Sequence, residues 1–257
     1  PVGAQALVTL PPGSARQQSE LLYQVLAGGL QELTQVEAEL WGGHTTEGDE
    51  LLTGFSVAGC LDGQQPLLKS GLKPGDSLIL TKPLGVGVIL AALRMRKVAS
   101  RCLEDALRFM LQSNSSSARV ARQMGCSAAT DITGFGLVGH LLEMLEASQV
   151  SARVSLGAIP RIAGSEALLR VGVSTSLGPS NRRRVEGRLQ YRGRTEDPAS
   201  SLLFDPQTSG GLLLGVPAPR TDQALKLLRS TGAAESCVVG TVEPLISADS
   251  KIELVVD

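Results

Sequence analysis

The sequence predicts an α/β fold divided into two domains, and three observations support this prediction. Hydrophobic residues make up 42% of the 257 residues but aromatic residues only 3%, so the core has to be built from Leu, Val, Ala and Ile, as in α/β layers. From residue 77 onward, strand-like segments alternate with segments of helical periodicity. Residues 64–74 are polar and contain Pro and Gly, which predicts a boundary between domains 1–70 and 71–257.

Four elements are predicted in the first domain. Strands are expected at residues 4–10, 38–41 and 51–60, with a Gly-rich turn at 42–45. Apolar residues at helical spacing predict a helix over residues 20–33, capped by Ser14 or Ser19. Because these strands make only a partial sheet, we expect a second copy of the chain to cover the exposed edge and face.

The second domain is predicted to alternate strands and helices. Strands are expected at residues 77–81, 128–133, 152–156, 212–216, 237–242 and 252–256. Helices are expected at residues 86–93, at about 103–124 with a polar interruption at 113–117, and at 137–145, 164–171 and 224–229. Residues 174–199 are rich in Arg, Ser, Gly and Pro without a clear period, which predicts a long loop that is either functional or mobile.

Composition argues against several classes of protein. With 24 basic and 25 acidic residues the net charge is -1, so no strong field attracts nucleic acid, and the few aromatic residues cannot form a base-stacking surface. No apolar stretch approaches the ~20 residues of a membrane span. The four cysteines are dispersed without a CxxC pair, which argues against a zinc site or a disulfide framework and predicts buried thiols in a cytoplasmic protein.

The first segment with possible chemistry is Gly42-Gly43-His44-Thr45. Consecutive glycines let the backbone approach a ligand and point N–H groups at phosphate oxygens, and His44 and Thr45 add side-chain donors. The same pair of glycines between two strands is also typical of an ordinary hairpin turn. Both interpretations remain open at this point.

The second segment runs from residue 130 to residue 140, with Asp131 at the end of a predicted strand and glycines before a helix. A carboxylate beside a helix N-terminus suits a Mg²⁺–phosphate group, because Mg²⁺ needs only one or two carboxylates from the protein. Asp131 could equally be a helix cap. His140 lies on the apolar face of the predicted helix and is interpreted as a packing residue rather than a metal ligand.

The third segment, residues 205–211, joins polar side chains and two glycines to an apolar strand. It is interpreted as a turn that lines a substrate site, and a plain turn explains it equally well.

Together these segments resemble the selenophosphate synthetase (selenide, water dikinase) family over essentially all 257 residues. The shared motifs are Gly-Gly-His-Thr at 42–45, Leu-Asp-Gly at 61–63, Leu-Lys-Pro-Gly-Asp at 72–76, Thr-Lys-Pro-Leu-Gly at 81–85, the segment 130–140, and Asp-Pro-Gln-Thr-Ser-Gly-Gly at 205–211. The wider superfamily, which includes aminoimidazole ribonucleotide synthetase, has similar Asp-x-Thr-Gly and Gly-Gly segments but does not usually share the complete motifs.

The resemblance implies a two-domain fold in which the N-terminal domain pairs across a homodimer to complete a β-barrel, beside a C-terminal α/β domain. It implies that ATP is held between the domains with Mg²⁺ and is cleaved, with selenide and water, to selenophosphate, AMP and orthophosphate. By position, Gly42, Gly43, His44 and Thr45 match the ATP-binding segment, and Asp131 matches a Mg²⁺ ligand.

The sequence also departs from the family pattern. The family carries a nucleophilic Cys or selenocysteine, a Lys and further aspartates upstream of a strand that resembles residues 1–10, so this chain is expected to be a fragment without a catalytic nucleophile and inactive by itself. The resemblance aligns Asn181 with an Asn of the family, whereas Arg182 to Arg184 are harder to place in the family pattern. The alternatives are a non-catalytic, dimerising nucleotide-binding paralogue and a related ATP enzyme that acts on a purine intermediate.

Overall fold

The computed structural model of the chain describes residues 1–61, 63–193, 198–245 and 252–256. Residues 1–66 and residues 67–257 form two compact units. Asp62, part of the Leu-Asp-Gly match, and residues 194–197 of the aperiodic stretch lie outside the described residues.

The first unit is a three-stranded sheet with one long helix. Its elements are β1 (Gly3–Leu10), α1 (Ala15–Gln35), β2 (Glu39–Glu47) and β3 (Leu52–Ala58). The strand order is β2-β1-β3, with β2 parallel and β3 antiparallel to β1. Helix α1 is the crossover that a parallel pair requires, and it covers one face of the sheet, where Ala6, Val8 and Leu10 are buried.

Helix α1 is longer than the apolar pattern predicted. It begins after Ser14, whose side chain forms a capping box with Gln17, so Ser14 rather than Ser19 is the cap. The first turn of α1 is polar and almost wholly exposed, which is why periodicity alone placed the start too late.

The predicted turn at residues 42–45 is wrong. All four residues lie inside β2, paired in parallel with β1. Ala4 pairs with Leu40 and Gln5 with Gly42, so Trp41 is an extra residue in β2 and forms a bulge. The hairpin interpretation is therefore excluded, because β2 and β3 are not neighbours in the sheet.

The second unit contains a mixed seven-stranded sheet in the order β5-β8-β4-β9-β6-β10-β7. Its strands are β4 (Ser77–Leu80), β5 (Ala128–Asp131), β6 (Ser151–Ser155), β7 (Leu189–Gly193), β8 (Leu212–Val216), β9 (Cys237–Glu243) and β10 (Ile252–Val256). β10 is parallel to β6 and β7, and the remaining pairs are antiparallel.

Helices cover both faces of this sheet. They are α2 (Val86–Arg94), α3 (Ser100–Leu111), α4 (Ser115–Gln123), α5 (Gly136–Ser148), α6 (Ser165–Arg170), α7 (Gly178–Val185) and α8 (Thr221–Ser230), with short 3-10 helices at Glu186–Arg188, Pro198–Phe204 and Ala218–Arg220. In β4, Leu78 and Leu80 belong to the larger core cluster and Ile79 to the smaller one. A strand buried on both faces reads as a continuous apolar run, as this one does.

The predicted α/β class is confirmed, and the strands and helices of the second unit lie close to their predicted positions. The exception is the stretch 174–199, which contains α7 and β7. Only Asn181 and Val185 of α7 are buried, so the helix has no apolar stripe from which to predict it.

Two further observations bear on the composition. The four cysteines are unpaired, but Cys60 is exposed and the other three are half-buried, so the prediction of buried thiols is wrong.

Among the described residues, none of the helices combines the length and the apolar character needed to cross a bilayer.

Candidate nucleotide and metal site

Asp131 is the last residue of β5 and its side chain is exposed. The three residues before it are buried, and the next residue, Ile132, donates its N–H to the carbonyl oxygen of Gly211 at 2.9 Å. The strand thus ends beside a backbone hydrogen bond to Gly211 and presents one carboxylate to solvent.

The interpretation of Asp131 as a helix cap is wrong. The N-cap position of α5 is Phe135, and no side chain caps this helix. Within the described part of the chain, no hydrogen bond is made to the Asp131 carboxylate. Its oxygens are therefore available to a ligand.

The turn between Asp131 and α5 is held from several sides. The carbonyl oxygen of Thr133 accepts N–H groups from Gly136 at 3.1 Å and from Gln207 at 3.0 Å. Gly136 has φ 70°, and a Cβ there would lie 2.8 Å from the carbonyl oxygen of Leu203. Only glycine fits this backbone without strain.

His140 supports the same turn from α5. It is 5% exposed, its Nε2 lies 3.2 Å from Thr133 Oγ1, and its ring centroid lies 5.5 Å from that of Phe135. Burial lowers the pKa of His140, although the carboxylates of Glu143 and Asp131 oppose this shift. His140 is therefore buried as the packing interpretation predicted, and it also forms a hydrogen bond to the turn, while its Nδ1 has no hydrogen-bond partner among the described residues.

Glu143 on α5 lies close to Lys69, His140 and Arg184. Its Oε2 lies 2.7 Å from Lys69 Nζ and 3.5 Å from His140 Nδ1, and its Oε1 lies 3.5 Å from an Nη2 of Arg184. Burial alone raises the pKa of Glu143, but the hydrogen bond and charge of Lys69, with His140 and Arg184, hold it below its usual value. Glu143 is therefore ionised at neutral pH and anchors Arg184 on α7.

The segment 205–211 is an internal brace. Asp205 Oδ2 accepts the N–H of Gly87 at 3.1 Å, and Gln207 Oε1 accepts the N–H groups of Gly85 and Val86, both at 3.2 Å. These two buried side chains supply the cap that α2 lacks locally. Burial raises the pKa of Asp205 to about 7, against the hydrogen bonds from Gln207 and the backbone, which lower it.

The sequence interpretations of residues 205–211, a turn that lines a substrate site or a plain turn, did not include these hydrogen bonds to α2. Asp205 does line a cavity of about 270 Å³ with Thr175, Arg182 and Phe204 among other residues, but its hydrogen bonds, like those of Gln207, are made to the protein.

Lys82 was assigned no role from the sequence. It is 2% exposed, and its Nζ donates to the carbonyl oxygens of Phe109, Gln112 and Ser209 at 3.1, 2.6 and 2.8 Å. Burial lowers the pKa of Lys82 to about 8. The ammonium group joins the end of α3 to segment 205–211. The signal in the sequence was a lysine two residues after the fully buried strand β4.

The four residues Gly42 to Thr45 lie in the first unit, whereas Asp131 lies in the second. All four are exposed on β2. Gly42 has φ 128° and open space where a Cβ would be, but a Cβ on Gly43 would lie 1.9 Å from the carbonyl oxygen of Ala6. Gly43 is therefore required by the close approach of β1, whereas a side chain at Gly42 would meet no neighbouring atom.

Comparison with known proteins places the chain in a family. Residues 73–247 match the family described as AIR synthase related protein, C-terminal domain. A selenide, water dikinase from Desulfitobacterium hafniense is 38% identical over 244 residues, covering 95% of this chain and 70% of that protein. The chain belongs to the selenide, water dikinase family.

Other members of the selenide, water dikinase family are similarly close. The protein from Clostridioides difficile is 34% identical over 225 residues, covering 88% of this chain, and the one from Nitratidesulfovibrio vulgaris is 37% identical over 215 residues, covering 83%. The chain spans 65% and 61% of the lengths of these two relatives. The predicted family resemblance is confirmed.

Solved structures share the fold at low identity. Escherichia coli HypE has a TM-score of 0.71 at 17% identity, covering 99% of this chain and 70% of HypE. Thiamine-monophosphate kinase from Stenotrophomonas maltophilia has a TM-score of 0.67 at 18% identity, covering 98% of this chain and 72% of that protein. A HypE structure in complex with ATP has a TM-score of 0.65.

The residues present fit a magnesium ion that is bound together with a nucleotide, and they do not fit a metal site built wholly from protein ligands. Among the described residues there is no group of three or more His, Cys, Asp or Glu side chains that could hold a metal. Mg²⁺ commonly keeps several waters and takes one or two carboxylates together with substrate phosphates. The exposed, uncommitted carboxylate of Asp131 suits that arrangement.

Proposed function

We propose that this chain is part of an enzyme that makes selenophosphate from ATP, selenide and water, releasing AMP and orthophosphate. The observation that carries the proposal is the 38% identity to a selenide, water dikinase over 244 residues. The exposed Asp131 before a glycine turn supports it, because phosphoryl transfer depends mainly on positioned groups and metal charge.

Two parts of the chain serve the nucleotide in this proposal. Asp131 contributes one ligand to Mg²⁺, which supplies positive charge against the phosphates when it is bound. The first turn of α5, which has no side-chain cap, favours negative charge nearby. Gly42, His44 and Thr45 are exposed on β2 and bind the nucleotide, while Gly43 lets β2 lie against β1.

The proposal is tested by the selenide dependence of AMP formation. We expect a full-length protein that contains this chain to form AMP from Mg²⁺-ATP only when selenide is supplied under anaerobic conditions. The 257-residue chain alone is expected to form none, because the Cys or selenocysteine, the Lys and the other aspartates of the family resemblance have no match in it.

Three results would contradict this assignment. ATP cleavage by the full-length protein that ignores selenide would exclude selenophosphate synthesis, and ADP formation with a purine intermediate would favour a related ATP enzyme. Nucleotide binding without any turnover would favour a non-catalytic paralogue.

We also propose that the first unit pairs with a second copy of the chain. Helix α1 covers only one face of the sheet. On the opposite face, Leu7 of β1 and Leu52 of β3 are 54% and 61% exposed, and the pairing of Thr9 with Leu52 places the two leucines on the same face. Trp41 lies against Gly3 on this face as well. Such an apolar sheet face is typically covered by another subunit.

Sedimentation equilibrium tests the dimer. We expect a dimer at micromolar concentration, and we expect the paired variant Leu7→Glu, Leu52→Glu to be monomeric. Leu111→Glu, at a position 77% exposed on α3, is the matched control and should leave the dimer intact. A wild-type chain that stays monomeric and does not aggregate at this concentration contradicts the proposal.

A further inference from the structure

Asn181 joins two segments that are far apart in the sequence. It lies on α7 and is 7% exposed. Its Nδ2 donates to the carbonyl oxygen of Gly134 at 2.8 Å and to the carbonyl oxygen of Phe204 at 3.0 Å. Gly134 belongs to the turn that follows Asp131, and Phe204 directly precedes Asp205, so one side-chain amide connects the Asp131 turn to the brace at 205–211.

The rest of α7 strengthens this connection. The Arg184 guanidinium lies 4.2 Å from the centre of the Phe135 ring and contacts Glu143. Arg182 lies 5.5 Å from the centre of the Phe204 ring. The helix therefore contacts both segments through Arg182 and Arg184 as well as through Asn181.

The amide of Asn181 is chemically suited to this position. Two N–H protons on one nitrogen can serve two carbonyl acceptors at once. An aspartate of the same shape has no proton to donate when it is ionised, and an alanine leaves both carbonyl oxygens without this partner.

We propose that Asn181 is a positioning residue for the Asp131 carboxylate. By holding the carbonyl of Gly134, it fixes the turn three residues after Asp131 and so fixes the direction in which the carboxylate meets Mg²⁺ and the nucleotide. This inference rests on the proposed function, since it assigns Asn181 an effect that is exerted through Asp131. Partners that orient a metal ligand in this way typically change affinity or activity about 10- to 100-fold when they are removed.

The test uses a full-length protein that contains this chain and measures two quantities: the Mg²⁺ concentration that gives half-maximal turnover at saturating ATP and, without turnover, the Mg²⁺ concentration needed for half-maximal binding of a non-hydrolysable ATP analogue. Asn181→Ala is expected to raise both concentrations by about tenfold or more. If Asn181→Ala does not fold, Asn181→Asp takes its place, because it keeps the shape and removes the amide protons. Ser236→Ala is the matched control: it also deletes a buried side-chain donor to a carbonyl, that of Ala233 at 2.7 Å, and should leave the Mg²⁺ dependence unchanged.

A double-mutant cycle with Asp131→Asn separates the possible failures. If Asn181 acts through Asp131, adding Asn181→Ala to Asp131→Asn should have little further effect. Effects that multiply independently, or an unchanged Mg²⁺ dependence in Asn181→Ala, overturn the positioning role while the proposed function stands. A full-length protein in which Asp131→Asn itself has no effect overturns the metal role of Asp131, and the inference with it.

Discussion

Asp131→Asn is expected to reduce Mg²⁺-dependent turnover of ATP by about 100-fold or more in a full-length protein that contains this chain. The carboxylate is exposed at the end of β5 and makes no hydrogen bond within the described part of the chain. Asn has nearly the same size and leaves the pairing of β5 with β8 intact, but it lacks the charge that binds Mg²⁺. The loss should therefore appear in catalysis and leave the stability almost unchanged.

Turnover across a range of Mg²⁺ concentrations and the unfolding midpoint together check this expectation. Asp222→Asn is the matched control, because Asp222 is also an exposed carboxylate of the second unit, in the first turn of α8. Wild-type turnover by Asp131→Asn at limiting Mg²⁺ would show that Asp131 is not a ligand. A large fall in the unfolding midpoint would instead assign it a structural role.

Gly43→Ala is expected to destabilise the first unit by about 3 kcal/mol, because the new methyl group would overlap the backbone of Ala6. Gly42→Ala is the matched control, with the same substitution on the neighbouring residue. Its Cβ enters open space, so only the strain of its positive φ remains, on the order of 1 kcal/mol.

Urea unfolding followed by tryptophan fluorescence measures both variants, because Trp41 is the only tryptophan in the sequence and lies beside both glycines on β2. Equal decreases in the free energy of unfolding of the two variants would contradict the close approach of the strands at Gly43. Since Gly43→Ala is expected to damage the sheet, it cannot by itself test phosphate binding. Gly42→Ala is the cleaner probe: in the proposed function, it lowers nucleotide affinity by more than the loss of folded protein explains.

The hydrophobic pattern predicted the class of the fold and most of its elements. The apolar run Leu212–Val216 was sufficient to predict a buried strand, and the spacing of apolar residues in α5 was sufficient to predict a helix. Burial inside a sheet, or of one helix face against a sheet, determines which residues of the segment are apolar. The apolar pattern and the glycines that follow it also predicted that Asp131 lies at the end of a strand before a glycine turn, as the structure shows.

The features that could be predicted from the sequence were therefore local: the α/β class, a strand predicted at residues 128–133 that the structure ends at Asp131, and the motifs shared with the family. That residues 42–45 lie within a strand became clear only from the fold, since parallel pairing with β1 involves residues about 37 positions away. The same holds for α7, Lys82, Asn181, Asp205 and Gln207, whose partners are mostly backbone groups of distant segments. A hydrogen bond to a distant carbonyl leaves no period and requires no particular neighbour in the chain, so these contacts become visible only when the fold brings the two segments together.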